Sequence, residues 1–290
     1  MRRLLMTYLG IAVGVYVVLV LAMYTGQRKL MYHPDASMGT PASHGIAEVV
    51  PIRLPSSDGL TITSWFRAAG TNKPIIVYFH GNAGHIGDRG SKVRAYVDAG
   101  YGILLVGYRG YGGNPGSPTE QGLYDDASTA LNFLTRTGIA PDHWVLYGES
   151  LGSGVAVEMA YRSADTMPVA AVVLEAPFTS MADAAKSHYP FVPAKILLKD
   201  RYDSLSKIEN VKSPVFIIHG NKDRTVPFAL GQRLFDTARE PKTSVWVDGA
   251  GHNNLYDFGA AEHVMSFLVE VWAKKCSGTS SGKKVNKSRF

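Results

Sequence analysis

The chain has 290 residues, enough for one large core or two small ones. At 46% hydrophobic and 19% charged residues it has the balance of a globular protein and not of a disordered one. Its single cysteine, Cys276, excludes a disulfide framework and a cysteine-rich metal site. The net charge of +6 does not point to nucleic acid, because of where it sits. Residues 1–33 carry Arg2, Arg3, Arg28 and Lys29 and no acid, and residues 274–290 carry six basic side chains and no acid. The body, 34–273, holds 20 basic against 24 acidic residues. A nucleic-acid face needs its charge on the folded body, whereas basic ends flanking an apolar segment suit a membrane surface.

Leu4 to Tyr24 contains no charged residue. As a helix these residues span about 31 Å, enough for a bilayer core. The run is longer than the apolar region of a secretory signal, and no A-x-A-like cleavage site stands near Ala22–Gly26. Residues 1–26 are therefore read as an uncleaved signal anchor. The flanking charge is nearly balanced, and the preferred topology puts the body on the extracytoplasmic side. Gly10 and Gly14 form a G-x-x-x-G, a pattern that pairs some membrane helices and is more often only glycine in such a helix. Residues 27–45, with Pro34, Gly39, Pro41 and Gly45, read as a linker.

Strands are expected at Glu48–Leu54 and Leu60–Phe66, joined by a turn at Ser57-Asp58-Gly59. The short apolar runs Ile75–Phe79, Ile103–Val106, Trp144–Tyr147, Ala170–Leu174, Val215–His219 and Ser244–Val247 read as further strands, the first of them buried on both faces. Helices are expected between them at 88–99, 120–137, 151–162 and 227–238, with a last one at 262–272. Residues 176–212, broken by Pro177, Pro190 and Pro193, fit no such alternation and read as a small cap. The folded body is assigned to 46–274 and a disordered basic tail to 275–290. The implied fold class is α/β: a mostly parallel eight-stranded sheet, helices on both faces, a short cap and one N-terminal transmembrane helix.

The chemistry centres on Gly148-Glu149-Ser150-Leu151-Gly152, a G-x-S-x-G at a strand-to-helix corner. Such a serine takes a strained turn that stands its hydroxyl clear of the sheet, and the flanking glycines avoid collision with nearby backbone. By itself the pattern is also an ordinary Gly/Ser turn capping a helix. Here a strand precedes it, a helix follows, and the remaining parts come in order. A serine hydroxyl needs a base beside it. His252, in a glycine-rich loop after the last strand, can supply one. The base needs a carboxylate to orient it. Asp223, after the penultimate strand, is preferred to Asp248, which lies only four residues from His252 on the same loop. Ser150, Asp223 and His252 follow one another in the order Ser…Asp…His. Acyl transfer also needs two donors for an oxyanion. Backbone N–H of Leu151 is one, and that of Asn82, with Ala83 as alternate, is the other. His80 reads as a buried hydrogen-bonding residue, and Tyr108–Gly113 as either site lining or a structural turn. No HExxH, Walker loop or ligand cluster suggests a metal, and no cofactor is called for.

Taken together, QRKLMYHP at 27–34, YFHGNAG at 78–84, YRGYGG at 108–113, GESLGSG at 148–154, APFTS at 176–180, HGNKDRTVP at 219–227 and GAGHNN at 249–254 resemble the α/β-hydrolase superfamily. They are most similar to its membrane-anchored, serine aminopeptidase-like or prolyl-oligopeptidase-like subfamily. The resemblance runs from the anchor to about residue 272. It implies Ser150, Asp223 and His252 as triad, and Leu151 with Asn82 or Ala83 as oxyanion hole. One departure is Gly107, where relatives commonly carry aspartate. The expected activity is hydrolysis of a carboxylic ester or thioester, on a small acyl ester or lipid-like substrate. The alternatives are a serine peptidase of aminopeptidase type and a non-catalytic membrane-anchored binding protein. No nucleic-acid partner is expected.

Overall fold

A computed structural model describes residues 1–280 of the chain. Eight strands form the main sheet: β1 (Val50–Pro55), β2 (Thr61–Arg67), β3 (Ile75–Phe79), β4 (Gly102–Val106), β5 (Trp144–Glu149), β6 (Ala171–Glu175), β7 (Val215–Gly220) and β8 (Lys242–Val247). Their spatial order is β8-β7-β6-β5-β3-β4-β2-β1. Only β2 runs against the others; every pairing from β4 through β8 is parallel. The central strands are uninterrupted apolar runs because both of their faces are covered. Along β3, Ile75, Val77 and Phe79 belong to one core, and Ile76 and Tyr78 to the other.

Helices α3 (Glu120–Arg136), α4 (Leu151–Ser163) and α8 (Phe228–Thr237) close the first core, through residues such as Leu123, Val155 and Leu234. Helices α2 (Gly90–Asp98) and α9 (Ala260–Ser280) close the second, through Val93, Tyr96, Val264 and Leu268. Thr119 caps α3 by accepting from the Gly122 N–H. The stretch 176–212 forms three short helices, α5 (Met181–His188), α6 (Ala194–Leu197) and α7 (Leu205–Ile208), between β6 and β7.

Some boundaries differ from those read in the sequence. Helix α9 does not stop near Trp272 and takes in 275–280 of the expected tail. Lys274 pairs with Glu270 one turn back, and Lys275 with Asp142 at 2.9 Å, which supports the extra turns. Residues 281–290 of that tail lie outside the described residues. A 3-10 turn at Ile86–Arg89 precedes α2, and Pro227 stands just before α8, not within it.

The largest difference is at the expected linker. Helix α1 (Arg2–Met31) continues through residue 31 and its last turn is docked on the body. Gln27 donates to the Leu197 carbonyl at 3.3 Å and accepts from the Lys199 N–H at 2.8 Å. Arg28 grips Asp200 with two hydrogen bonds, 2.7 and 3.2 Å. Met31 and Tyr32 are buried, and the Tyr32 hydroxyl lies 2.9 Å from that of Tyr202. His33-Pro34 then pairs in parallel with Ala83-Gly84. Composition alone hid this, because Gln27, Arg28 and Tyr32 are polar and each is satisfied by a partner some 170 positions away.

If 27–34 is a packed strap and not a linker, Tyr32→Ala loses about 3–5 kcal/mol, as for truncation of a buried aromatic. The melting temperature of the detergent-solubilised full chain then falls by roughly 10 °C. An unchanged melting curve means that the strap does not hold to the body.

Candidate active site

The parallel strands β3, β5, β7 and β8 end on one edge of the sheet, so the loops after them meet there. Ser150 follows β5 with φ +50° and ψ −115°, a region costly for a residue with a side chain. Its neighbours show why the corner is possible. A Cβ at Gly148 would stand 2.5 Å from the Gly152 carbonyl oxygen, and one at Gly152 only 2.0 Å from that of Phe79. Helix α4 therefore crosses directly over the end of β3, and only glycine permits that approach. The Ser150 N–H donates to the Glu175 carbonyl at 2.8 Å, which pins the corner to β6.

The loops after β7 and β8 are laced together. Asn221 donates to Asp248 at 2.7 Å and accepts from the Gly249 N–H at 3.0 Å, and the Lys222 N–H donates to the Ala250 carbonyl. Asp248, the rival acid in the sequence, is thus spent on Asn221. His252 lands between the other two residues. Its Nδ1 lies 2.7 Å from Asp223 Oδ2 and its Nε2 2.9 Å from Ser150 Oγ. A carboxylate only accepts, so Nδ1 carries the proton, and the unprotonated Nε2 accepts from the serine hydroxyl.

Asp223 receives four hydrogen bonds. Oδ1 accepts from the N–H groups of Thr225 and Val226, each at 2.8 Å. Oδ2 accepts from His252 and from His219 Nε2–H at 3.0 Å. Burial opposes its ionisation. The bonds from His219, His252 and Val226 outweigh burial and hold the carboxyl below the usual range. His219 was not singled out in the sequence. Its signal was present: a histidine four residues before the acid, at the end of an apolar strand. It is fully buried, and Gly231 of α8 leaves room for its ring, since a Cβ there would meet Nδ1 at 2.2 Å.

A second, largely enclosed carboxylate, Glu149, sits beside the serine and was also missed, because a glutamate within G-x-S-x-G carries no distinguishing spacing. Arg89 clasps it through two hydrogen bonds, 3.1 and 2.9 Å, and donates to the carbonyls of Ala83 and His85. The Tyr78 hydroxyl adds a 2.7 Å bond. Burial again opposes charge on Glu149, and Arg89 and Lys92 more than offset it, holding the carboxyl low. The loop after β3 is thereby tied to the serine corner.

On that loop, Asn82 lines a cavity together with Ser150 and Leu151. The Asn82 carbonyl accepts from the His33 N–H and the Tyr111 hydroxyl, and its side chain donates to the Met31 carbonyl at 2.9 Å. Ala83 does not line the cavity; it is paired with His33. His80 is fully buried, donates from Nδ1 to the Gly81 carbonyl and packs on Tyr108. Burial and nearby Arg89 push its pKa down to about 3, which keeps it neutral. Tyr108 and Tyr111 are core residues, so this turn supports the site from behind. At Gly107 a Cβ would meet the Thr63 carbonyl at 2.0 Å and the Asn114 amide at 2.9 Å, leaving no space for an aspartate.

The cavity has a volume of about 280 Å³. Its walls are mainly apolar: Leu30 and Met31 from α1, and Phe178, Met181 and Leu198 from the stretch after β6. Among the described residues no group of three His, Cys, Asp or Glu side chains is placed to hold a metal.

The sequence model of the serine aminopeptidase S33 family matches residues 70–203. An uncharacterized Mycobacterium tuberculosis protein, Rv2307c, is 38% identical over 238 residues, covering 81% of this chain and 83% of the relative. Human alpha/beta hydrolase domain-containing protein 17B is 35% identical over 214 residues, covering 70% and 69%. Among solved structures, a Pyrococcus furiosus esterase superposes with a TM-score of 0.64 at 16% identity, over 83% of this chain and 98% of the esterase. At that identity the likeness speaks for the fold alone. An eight-stranded, mostly parallel sheet with helices on both faces, together with these relatives, shows that the chain belongs to the α/β-hydrolase superfamily.

Proposed function

We propose that the protein is a membrane-anchored serine hydrolase that cleaves carboxylic esters or thioesters through an acyl-enzyme. The observation that carries this reading is the continuous chain Ser150 Oγ–His252–Asp223, with links of 2.9 and 2.7 Å, whose serine lines an apolar cavity. His252 Nε2 takes the hydroxyl proton as Ser150 Oγ bonds to the substrate carbonyl carbon. The carbonyl oxygen becomes an oxyanion held by the N–H groups of Leu151 and Asn82, with α4 aimed at it by its N-terminus. The tetrahedral centre collapses, and His252 returns the proton to the departing alkoxide or thiolate. Water then attacks the acyl-serine with His252 again as base, releasing the carboxylic acid and free Ser150. Asp223 holds the His252 tautomer and stabilises its protonated form. It does not itself take the proton, since four hydrogen bonds keep it ionised.

The cavity lining favours an acyl ester over a peptide. An aminopeptidase needs an acidic or aromatic clamp for the substrate amine, and among the described residues no Asp or Glu lines this cavity to supply the acidic one. The anchor reading is supported by α1, whose apolar window contains no buried residue. With the preferred topology, the catalytic body stands on the extracytoplasmic side.

A fluorophosphonate probe is expected to label the folded protein at Ser150, with labelling abolished by Ser150→Ala. An unlabelled folded protein ends this reading. Asp223→Asn is expected to lower kcat by roughly 10³- to 10⁴-fold, because an amide favours the wrong imidazole tautomer. His219→Leu removes one of the four donors to Asp223, and kcat falls roughly ten-fold with KM little changed, the size of one charge-assisted hydrogen bond. Steady-state kinetics on a p-nitrophenyl ester read both. Turnover of an aminoacyl-amide exceeding that of acyl esters would favour the peptidase instead.

A further inference from the structure

The stretch between β6 and β7 has an apolar tip that nothing in the body covers. Phe191 is 52% exposed and Ile196 83%, and Tyr189 beside them is also exposed. Isolated exposed apolar residues need no explanation, but this tip leans on α1. The Tyr16 hydroxyl donates to the Phe191 carbonyl at 2.8 Å. Further along, Lys199 Nζ lies 4.5 Å above the Tyr24 ring, Gln27 bonds to Leu197 and Lys199, and Arg28 to Asp200. The segment from 191 to 200 therefore runs beside α1 from residue 16 to residue 28.

That register sets a depth. If the uncharged run ends at the membrane boundary near Tyr24, Tyr16 lies about 12 Å further in, at 1.5 Å per residue. A helical tyrosine points towards the N-terminus, so its hydroxyl, and the Phe191 carbonyl that it holds, lie at least as deep. The only charges from Ala184 to Lys199 are Lys186, Lys195 and Lys199. This composition suits anionic headgroups above and hydrocarbon below.

Most of the backbone chemistry agrees. Irregular chain enters hydrocarbon only if its polar groups are paired. Pro190 and Pro193 have no N–H to pair. The N–H groups of Tyr189, Val192, Ala194, Ile196, Leu197 and Leu198 donate to carbonyls within residues 185–194, which leaves those of Phe191 and Lys195 as the two in the tip without a backbone partner.

We infer that the tip at residues 189–197 is seated in the same bilayer leaflet as α1, so that the cavity beside Ser150 opens towards hydrocarbon and not towards water. The inference rests on the anchor reading above and deepens it: α1 is one wall of the entry path and the tip is the other. A long-chain acyl ester then reaches Ser150 from within the leaflet, without its chain crossing water. The occupant is a lipid surface because the tip is continuous with the apolar face of α1.

The test uses the full chain in phosphatidylcholine–phosphatidylglycerol nanodiscs, in a Cys276→Ser background, with an environment-sensitive fluorophore on one introduced cysteine at a time. The sites are Val13→Cys in α1, Phe191→Cys and Ile196→Cys in the tip, and Asn132→Cys on the exposed face of α3. Expected are blue-shifted emission and quenching by spin-labelled lipid at 13, 191 and 196, with water-like emission at 132. Quenching at 13 with water-like emission at 191 and 196 overturns the inference and leaves the anchor standing. Water-like emission at 13 removes the anchor and the inference together. None of these readings depends on turnover, so failure of the hydrolase reading would show separately in the fluorophosphonate experiment. As a second readout, the double variant Phe191→Ser, Ile196→Ser should raise KM for a vesicle-embedded long-chain ester roughly ten-fold, as expected from losing buried apolar area. Hydrolysis of a water-soluble short-chain ester should be unchanged, since neither residue lines the cavity. Equal effects on both esters count against the inference.

Discussion

The close crossing of α4 over the end of β3 is the constraint from which the site follows. Two glycines, at 148 and 152, let backbone approach backbone where any Cβ would overlap a carbonyl oxygen. The crossing forces Ser150 into a positive φ, and the N–H of that strained residue is held by the neighbouring strand at Glu175. A strained conformation persists only where its surroundings over-determine it. Here the surroundings are β3 and β6, the two strands that flank β5, so the serine hydroxyl inherits the rigidity of the sheet centre.

Two largely enclosed carboxylates then divide the work of organising the loops. Asp223 is satisfied on all four lone-pair directions, by two backbone donors and two histidines. Such a group is fixed in position and resists protonation. Glu149 faces the other way and gathers Arg89, Lys92 and Tyr78. Through Arg89 it also reaches the carbonyls of the loop after β3. Removing either partner of such a pair leaves a buried charge uncompensated, which costs about 3–5 kcal/mol. One carboxylate thus orders the histidine side of the site, and the other the side where Asn82 and Leu151 stand.

The N-terminal helix is not a passive appendage of this arrangement. Its last turn and the His33-Pro34 strap contact Asn82, Ala83 and Gly84, the loop facing Ser150. Met31 lines the cavity with one part of the residue and accepts from the Asn82 side chain with another. Helix α1 and the candidate site therefore share a residue. A change in how α1 sits is felt at Asn82 without passing through the sheet.

The amino-acid order alone determined the strand alternation, the corner at Ser150 and the sequence Ser…Asp…His. These are local patterns: apolar runs bounded by glycine, and short motifs whose spacing follows from one turn of backbone. It also ranked Asp223 above Asp248, on the ground that a neighbour four positions away on one loop is poorly placed to orient His252. Only the tertiary structure decided where polar residues with distant partners belong. Gln27, Arg28 and Tyr32 look like linker until Leu197, Asp200 and Tyr202 come beside them. His219 looks like the end of a strand until the loop after it folds Asp223 back onto its ring. Glu149 is one letter in a motif until Arg89 reaches it across the sheet edge. Local sequence carries periodicity and turn chemistry, whereas the pairing of a buried polar group is settled by whichever remote donor the packing delivers.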